Sequence, residues 1–186
     1  MTVKNFEQKG YVLIATRKGI IKKTDLSAFS KPRRRGIIAV TIREDDRLIE
    51  AKLSSGESDV ILVTRDGASI RFNESQIRAM GRTASGVKGI HLKSNDYVIA
   101  MLVVDEHKYI FTISEKGYGK RTAVEDFRIQ NRSGGGIIAM KLTPKTGRLV
   151  DAIGVSESED IMVITSNGIV IRQNISNVSI FGRNTQ

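Results

Sequence analysis

Four short stretches, Thr16-Arg17-Lys18-Gly19, Thr64-Arg65-Asp66-Gly67, Ser114-Glu115-Lys116-Gly117 and Thr165-Ser166-Asn167-Gly168, decide the architecture. Their glycines recur at intervals of 48, 50 and 51 residues, and other positions keep step with them. Four residues further on stands a cation in every copy: Lys23, Arg71, Arg121, Arg172. Ten residues on stands an apolar residue: Phe29, Ile77, Phe127, Val178. A second glycine (Gly36, Gly86, Gly136) precedes an apolar segment, Ile37-Ile38-Ala39-Val40, Val87-Lys88-Gly89-Ile90 or Ile137-Ile138-Ala139-Met140. A polar turn follows (Glu44-Asp45-Asp46, Ser94-Asn95-Asp96, Pro144-Lys145-Thr146-Gly147), then a closing apolar segment from Leu48, Val98 or Leu149. A fixed period of this kind is the mark of a repeat architecture.

Each copy reads as strand, tight turn, strand, basic loop, strand, polar turn, strand. The segments are short, rich in Val and Ile, and bounded by Gly, Asp and Asn, with no sustained helical period. Asp66-Gly67 and Asn167-Gly168 suit a two-residue type I′ hairpin, which needs positive φ at both central residues. Four strands in about 50 residues is the size of one propeller blade. A single such sheet cannot cover both of its faces, so the blades must stack. The expected fold is all-β, a propeller-like array truncated to about three and a half blades. Residues 1–10 read as the tail of a preceding blade. Residues 11–57, 58–105 and 106–156 read as blade repeats, and 157–186 as an incomplete one. The chain thus reads as cut from a longer array, with open blade edges through which copies could associate.

The chain of 186 residues is 40% hydrophobic, which supports a packed core and argues against global disorder. No cysteine is present, which excludes disulfides and thiolate chemistry and fits a reducing compartment. The apolar run Val98–Val104 is too short to span a bilayer, and the first residues lack the pattern of a secretory signal.

Thirty Lys and Arg against 20 Asp and Glu give a net charge of +10, which predicts attraction to polyanions. The excess gathers in loops that recur with the repeat: Lys31-Pro32-Arg33-Arg34-Arg35-Gly36, then Gly81–Lys88 with Arg82 and Lys88, then Arg128–Gly136 with Arg128 and Arg132. Guanidinium groups pair with phosphate oxygens in a fork, and glycines let a backbone approach a phosphate. Loops at the blade period lie at equivalent places around a ring, and a curved row of cations suits a bent duplex. Residues 11–57 carry net +5 and 106–156 net +4, against +1 for 58–105 and −1 for 157–186, so the first and third units should dominate. Lys22-Lys23 and Lys120-Arg121 form a second candidate row. Strand neighbours point to opposite faces, so one cation of each pair could be structural. The repeated member, Lys23, Arg71, Arg121 and Arg172, either contacts DNA or pairs with an acid inside its blade.

Catalytic chemistry has little support. His91 and His107 stand at non-equivalent repeat positions, and Glu44-Asp45-Asp46 has only polar-turn counterparts in the other units. Gly117–Thr122 lacks the spacing of a phosphate-binding loop. Tyr11, Tyr97, Tyr109 and Tyr118 lie in or beside strands and read as packing residues. Aromatic residues do not interleave the basic loops, which argues against single-strand binding by base stacking. A propeller scaffold for protein partners would need aromatic anchors on a ring face, and the chain has no Trp.

The segments Gly10–Thr24, Met80–Ile90, Gly117–Thr122 and Ile180–Gln186 resemble the C-terminal domain of the A subunit of DNA gyrase, a bacterial type IIA topoisomerase, and the resemblance runs along essentially the whole chain. It implies a β-pinwheel whose neighbouring blades exchange strands and which wraps duplex DNA on a basic outer rim. That wrap supports negative supercoiling driven by ATP elsewhere in the holoenzyme. The implied partners are double-stranded DNA, the B subunit of gyrase and the catalytic core of the A subunit, in the cytoplasm at the nucleoid. The family's nucleophilic tyrosine and metal site lie outside the matched region, so no catalytic residue and no cofactor is expected here. The family's first-blade box, of Gln-Arg-Arg-Gly-Gly-Lys-Gly type, is absent. Gln130-Asn131-Arg132-Ser133-Gly134-Gly135-Gly136 is a degenerate form in a later blade. The chain is therefore expected to begin after the first blade and to bind DNA without wrapping it fully. The A subunit of topoisomerase IV has a related domain with degenerate boxes.

Overall fold

The computed structural model describes residues 3, 5, 6, 8–104 and 107–186. The expected blade tail at 1–10 lies partly outside these residues. Thirteen strands and four 3-10 turns follow one another with no α-helix among the described residues. Among the described residues no helix is long and apolar enough to cross a membrane.

The first unit supplies β1 (Tyr11–Thr16), β2 (Ile20–Asp25) and β3 (Leu48–Ser54). The second supplies β4 (Asp59–Thr64), β5 (Ala68–Asn73), β6 (Val87–Lys88) and β7 (Val98–Val104). The third supplies β8 (Tyr109–Ser114), β9 (Gly119–Ala123), β10 (Ile137–Ile138) and β11 (Leu149–Val155), and the last supplies β12 (Asp160–Ile164) and β13 (Val170–Asn174). The sheets have the orders β3-β1-β2-β6, β10-β5-β4-β7, β11-β8-β9 and β12-β13. Each of the first two sheets therefore takes its outermost strand from the following repeat. Val87 and Lys88 pair with Ile21 and Ile20, and Ile137 and Ile138 pair with Ser69 and Ala68. The corresponding segment of the first unit, Ile37–Val40, was expected to be a strand. It forms none, because no sheet edge lies beside it among the described residues, and Ile38 remains 62% exposed.

Stacking explains why the middle strands read as continuous apolar runs. In β4, Val60 and Leu62 enter a core with Leu13, Ile21 and Phe72, whereas Ile61 and Val63 enter the next core with Ala100, Ile110 and Phe127. Alternate residues thus fill two different cores. Each such side chain contributes about 1.5–3 kcal/mol by leaving water. The apolar residue ten places after each glycine closes these cores. Ile77 joins the first, Phe127 the second, and Val178 and Phe29 pack against the remaining two.

The hairpin turns differ from the type I′ expectation. Gly19, Gly67, Gly117 and Gly168 have φ of 77°, 83°, 78° and 79°, but neither Asp66 nor Asn167 is left-handed. The glycine N–H donates to the carbonyl three residues back, for example Gly67 to Thr64 at 3.1 Å. Such a loop is the three-residue kind, with one left-handed position that glycine fills. A threonine hydroxyl completes it by accepting from Ile20, Ala68 and Ile169 at 3.1–3.2 Å.

One interaction recurs at every unit junction. The repeated cation reaches the 3-10 turn of the following unit. Lys23 Nζ donates to the Glu74 carbonyl at 2.9 Å. Arg71 Nη1 donates to Val124 and Phe127 carbonyls at 2.9 and 3.2 Å. Arg121 Nε and Nη2 donate to Val178 and Ser176 carbonyls at 2.7 and 3.2 Å. A parallel bridge accompanies each contact: Lys23 with Ala79, Arg71 with Ile129, Arg121 with Ile180.

The first junction carries an extra charge. Leu26, Val124 and Ile175 begin the other 3-10 turns and are buried, but the second turn places Glu74 there, 0% exposed. Its carboxylate accepts from Gly56 N (3.0 Å), Ser58 N (2.9 Å) and Ser54 Oγ (2.8 Å), and lies 3.6 Å from Lys23 Nζ. Removing one partner strands the other charge. Glu74→Ala should therefore cost about 3–5 kcal/mol in urea unfolding. The paired change Lys23→Met with Glu74→Leu should recover only the part of that loss due to the stranded Lys23 charge, because the Gly56, Ser58 and Ser54 donors still lose their acceptor.

Candidate nucleic-acid interface

β7 packs against both β3 and β11, so these strands line the inner side of the array. β6 and β10 occupy the opposite, outer edge of their sheets. The basic loops lead into this outer edge. Lys31, Arg33, Arg34 and Arg35 are all exposed, and their side chains contact no acid among the described residues. Lys88, on β6, and Arg128 are exposed as well. Arg78 is the counterpart of Arg128, eleven residues after the turn glycine, and is equally exposed. The same offset points to it in the sequence, but it lies before the Gly-Arg motif that marks the loop.

Arg82 and Arg132 are at the edge but are already engaged. Arg82 Nη1 donates to the Ile38 carbonyl at 3.0 Å. Arg132 Nη1 donates to the Lys88 carbonyl, and its Nε to Gln76 O at 3.3 Å. Arg183 repeats the contact on the Ile138 carbonyl at 2.9 Å. Each carbonyl belongs to the residue two places after the second glycine of the preceding unit. These arginines link consecutive loops, and the remaining guanidinium donors stay at the surface.

The second candidate row is corrected by the structure. Lys22 and Lys120 are each only 1% exposed. Lys22 Nζ donates to Ala39 O at 2.7 Å and to Arg82 O. Lys120 Nζ donates to the carbonyls of Gly182, Arg183 and Thr185 at 2.7, 2.9 and 3.1 Å. Burial, reinforced by Arg82 and Arg183 respectively, lowers both lysines to a pKa of about 8. Lys23, Arg71 and Arg121 are consumed at the unit junctions described above. These five side chains aim their donors into a carbonyl cage or a neighbouring turn, which leaves them no role on an outer surface. Arg172 is exposed and pairs with Asp160.

The partner of the junction cation alternates along the chain. Arg71 pairs with Asp59 at 2.9 Å, and Arg172 pairs with Asp160 in the same way. Lys23 and Arg121 instead lie over Tyr11 and Tyr109, at 4.8 and 5.2 Å from the ring centres. Among the described residues an acid inside the blade serves the second and fourth units only. Tyr97 is held between Arg17 (3.8 Å) and Arg65 (5.4 Å), and Lys145 lies over Tyr118 at 5.3 Å. Among the described residues no group of three His, Cys, Asp or Glu could hold a metal ion. Asp46 of the acidic turn accepts from Lys18 N and Arg47 N, both at 2.8 Å, and so stitches that turn to the hairpin.

A family model described as "DNA gyrase C-terminal domain, beta-propeller" matches residues 10–55, 58–105, 108–156 and 159–186. The DNA gyrase A subunit of Salmonella typhimurium is 41% identical over 186 residues, covering 100% of this chain and 21% of that protein. Its counterpart in Klebsiella oxytoca is 43% identical with the same coverage. The chain therefore spans about a fifth of the length of these relatives. A solved DNA gyrase A C-terminal domain superposes with a TM-score of 0.90 at 28% identity, covering 100% of this chain and 62% of that one. The C-terminal domain of DNA topoisomerase IV gives 0.93 at 24% identity, covering 100% and 58%, a likeness of fold.

The buried lysines carry a pH signature. The unfolded chain holds the Lys120 proton to about 10.5, whereas the folded chain releases it near 8. Between those values the unfolded state binds more protons, so stability rises with pH. Urea unfolding of the wild type and of Lys120→Ile, the residue found at the equivalent Ile70 and Ile171, checks this. From pH about 8 to 10 the difference between them should move in favour of the wild type.

Proposed function

The chain belongs to the DNA gyrase C-terminal domain family of β-propellers, and on that premise we propose that it binds duplex DNA on its outer rim and bends it without reading sequence. The observation that carries this reading is the row of exposed cations at the outer sheet edges that are in no ion pair among the described residues: Lys31 and Arg33–Arg35, then Arg78 and Lys88, then Arg128. Such cations displace counterions from the phosphates and so bind in a salt-dependent manner. Phosphate contacts position a duplex but do not read bases, so any preference comes from how readily the DNA bends. Arg82 and Arg132 support the rim by tying its loops together and add their outward donors to it.

In the assembled enzyme this domain would hold DNA for the catalytic core of the A subunit, together with the B subunit of gyrase, in the cytoplasm at the nucleoid, and so support ATP-driven negative supercoiling. No residue of this chain takes a catalytic role in that scheme, and no cofactor is invoked. Identity of 41–43% to gyrase A subunits favours gyrase over the equivalent domain of topoisomerase IV. Self-association through the apolar end at β12 and β13, where Met162 and Ile164 are 66% and 67% exposed, is a further property of this reading.

Replacing Arg33, Arg34 and Arg35 by Glu should weaken binding to random-sequence duplex uniformly. The slope of log affinity against log salt should fall by about 0.9 for each phosphate no longer neutralised. Fluorescence anisotropy across a salt series reads both quantities, and an unchanged slope would remove the rim from the account.

A further inference from the structure

The two faces of the array are chemically distinct. Hairpin turns bond to hairpin-side neighbours: Arg17 N to Arg47 O (2.8 Å), Val98 N to Arg17 O (2.9 Å), Leu149 N to Arg65 O (3.0 Å). The 3-10 turns bond at the other end: Leu26 N to Gly10 O, Glu74 N to Ser58 O and Val124 N to Lys108 O at 3.0 Å, and Ile175 N to Glu159 O at 2.9 Å. One face therefore gathers the hairpin and polar turns, and the opposite face gathers the 3-10 turns and the links between blades.

Their charges differ in sign. The hairpin-turn face exposes Lys18, Arg43, Arg47, Lys93, Lys116 and Lys145. Around the second and third polar turns its acids are engaged by the protein itself. Asp96 accepts from Asp66 N at 3.0 Å and Tyr97 N at 2.8 Å, and Glu115 is held by Arg65 at 2.9 Å and Arg148 N at 3.0 Å. Asp66 pairs with Arg148 at 3.4 Å. At the first polar turn Glu44 and Asp45 are exposed beside Arg43, whereas at the later turns Lys116 donates to the Pro144 carbonyl at 2.6 Å, Lys145 lies over Tyr118, and Lys93 is in no ion pair among the described residues. The 3-10-turn face exposes Asp25, Glu57, Glu125, Asp126 and Glu157, with Lys9 and Lys108 among them, and the rim cations Arg78 and Arg128 follow its turns by two residues. Among the described residues Glu57, Glu125 and Asp126 have no ion-pair partner. The strands between the two faces have mostly five to seven residues, so the rim is roughly 20 Å tall, comparable with the width of a duplex. A duplex centred on it would press one phosphate strand against the acidic border.

We propose that DNA rides off centre on the rim, displaced toward the hairpin-turn face, with Lys93 and Lys145 contacting phosphates that the rim loops do not reach. This inference rests on the rim-binding reading. The acidic border acts as a guard rail by like-charge repulsion, and the second and third polar turns add the cations Lys93 and Lys145 on the opposite side.

The absence of native cysteine makes a direct test available. Single cysteines at Arg34→Cys, Lys93→Cys, Lys145→Cys, Glu57→Cys and Glu125→Cys, each carrying a photoactivatable aryl azide, would be irradiated with a random-sequence linear duplex bound. Crosslinks from positions 34, 93 and 145 but not from 57 and 125 are expected. Crosslinks from 34 alone, or equally from both faces, would overturn the off-centre path while leaving rim binding intact. Absence of crosslinks from every position, 34 included, together with no binding, would overturn both. In parallel, Lys93→Glu with Lys145→Glu should weaken binding several-fold and reduce the salt slope by about 0.9 for each phosphate set free. Refolding is controlled by an unchanged urea midpoint.

Discussion

Everything in this array depends on one constraint: no sheet of four short strands can cover both of its own faces. The structure meets it with two devices, both present at the first two junctions and the second of them at the third as well. A two-residue strand from one repeat completes the outer edge of the preceding sheet, and a cation from the preceding sheet caps the carbonyls of the next 3-10 turn. The two devices run in opposite directions along the chain. Consecutive repeats are therefore interlocked, and the stability of any one of them is shared with its neighbours. Gly86 and Gly136 make the strand crossing possible. Each has positive φ, and a Cβ there would come within 2.7 Å and 2.5 Å of the Ile21 and Ser69 carbonyl oxygens.

Much of this is legible in the sequence because repeats turn single residues into columns. The glycine column marks the hairpins, the apolar column at Phe29, Ile77, Phe127 and Val178 marks core plugs, and the Val- and Ile-rich runs mark strands buried on both sides. The columns mislead where a residue's job is to touch the neighbouring unit. Lys22, Lys120 and the Lys23 column look like surface charge because lysine and arginine are rarely buried, and nothing local announces a carbonyl cage contributed from some 60 residues away. Ile37–Val40 looks like a strand because its chemistry is that of one, but a two-residue strand exists only where an edge receives it. The hairpin turns mislead for a smaller reason. Asp-Gly serves both a two-residue and a three-residue loop, and the threonine hydroxyl that selects the latter lies two residues earlier in the turn.

For the rim, the same correction sharpens the electrostatics. Charge counted by sequence segment overstates the contribution of the first and third units, since Lys22, Lys23, Lys120 and Arg121 are buried. What remains outside is a loop cluster at one end, isolated arginines further along, and a row of cations on the polar turns. Affinity of such a surface for a polyanion comes from spacing and exposure, not from net charge, and both are set by the interlocked backbone beneath.

The alternation between units reaches beyond stability. Units with Tyr11 or Tyr109 carry a buried lysine near the start of their second strand, at Lys22 and Lys120, and receive the loops Gly81-Arg82-Thr83 and Gly182-Arg183-Asn184. Units with Asp59 or Asp160 place isoleucine at that site, Ile70 and Ile171. A lysine unit therefore matches the loop of an isoleucine unit. Excising one repeat would set mismatched loop surfaces against each other, whereas excising or copying two in tandem would keep every lysine unit beside the loop of an isoleucine unit. By this criterion the structural unit of the array is a couplet of repeats.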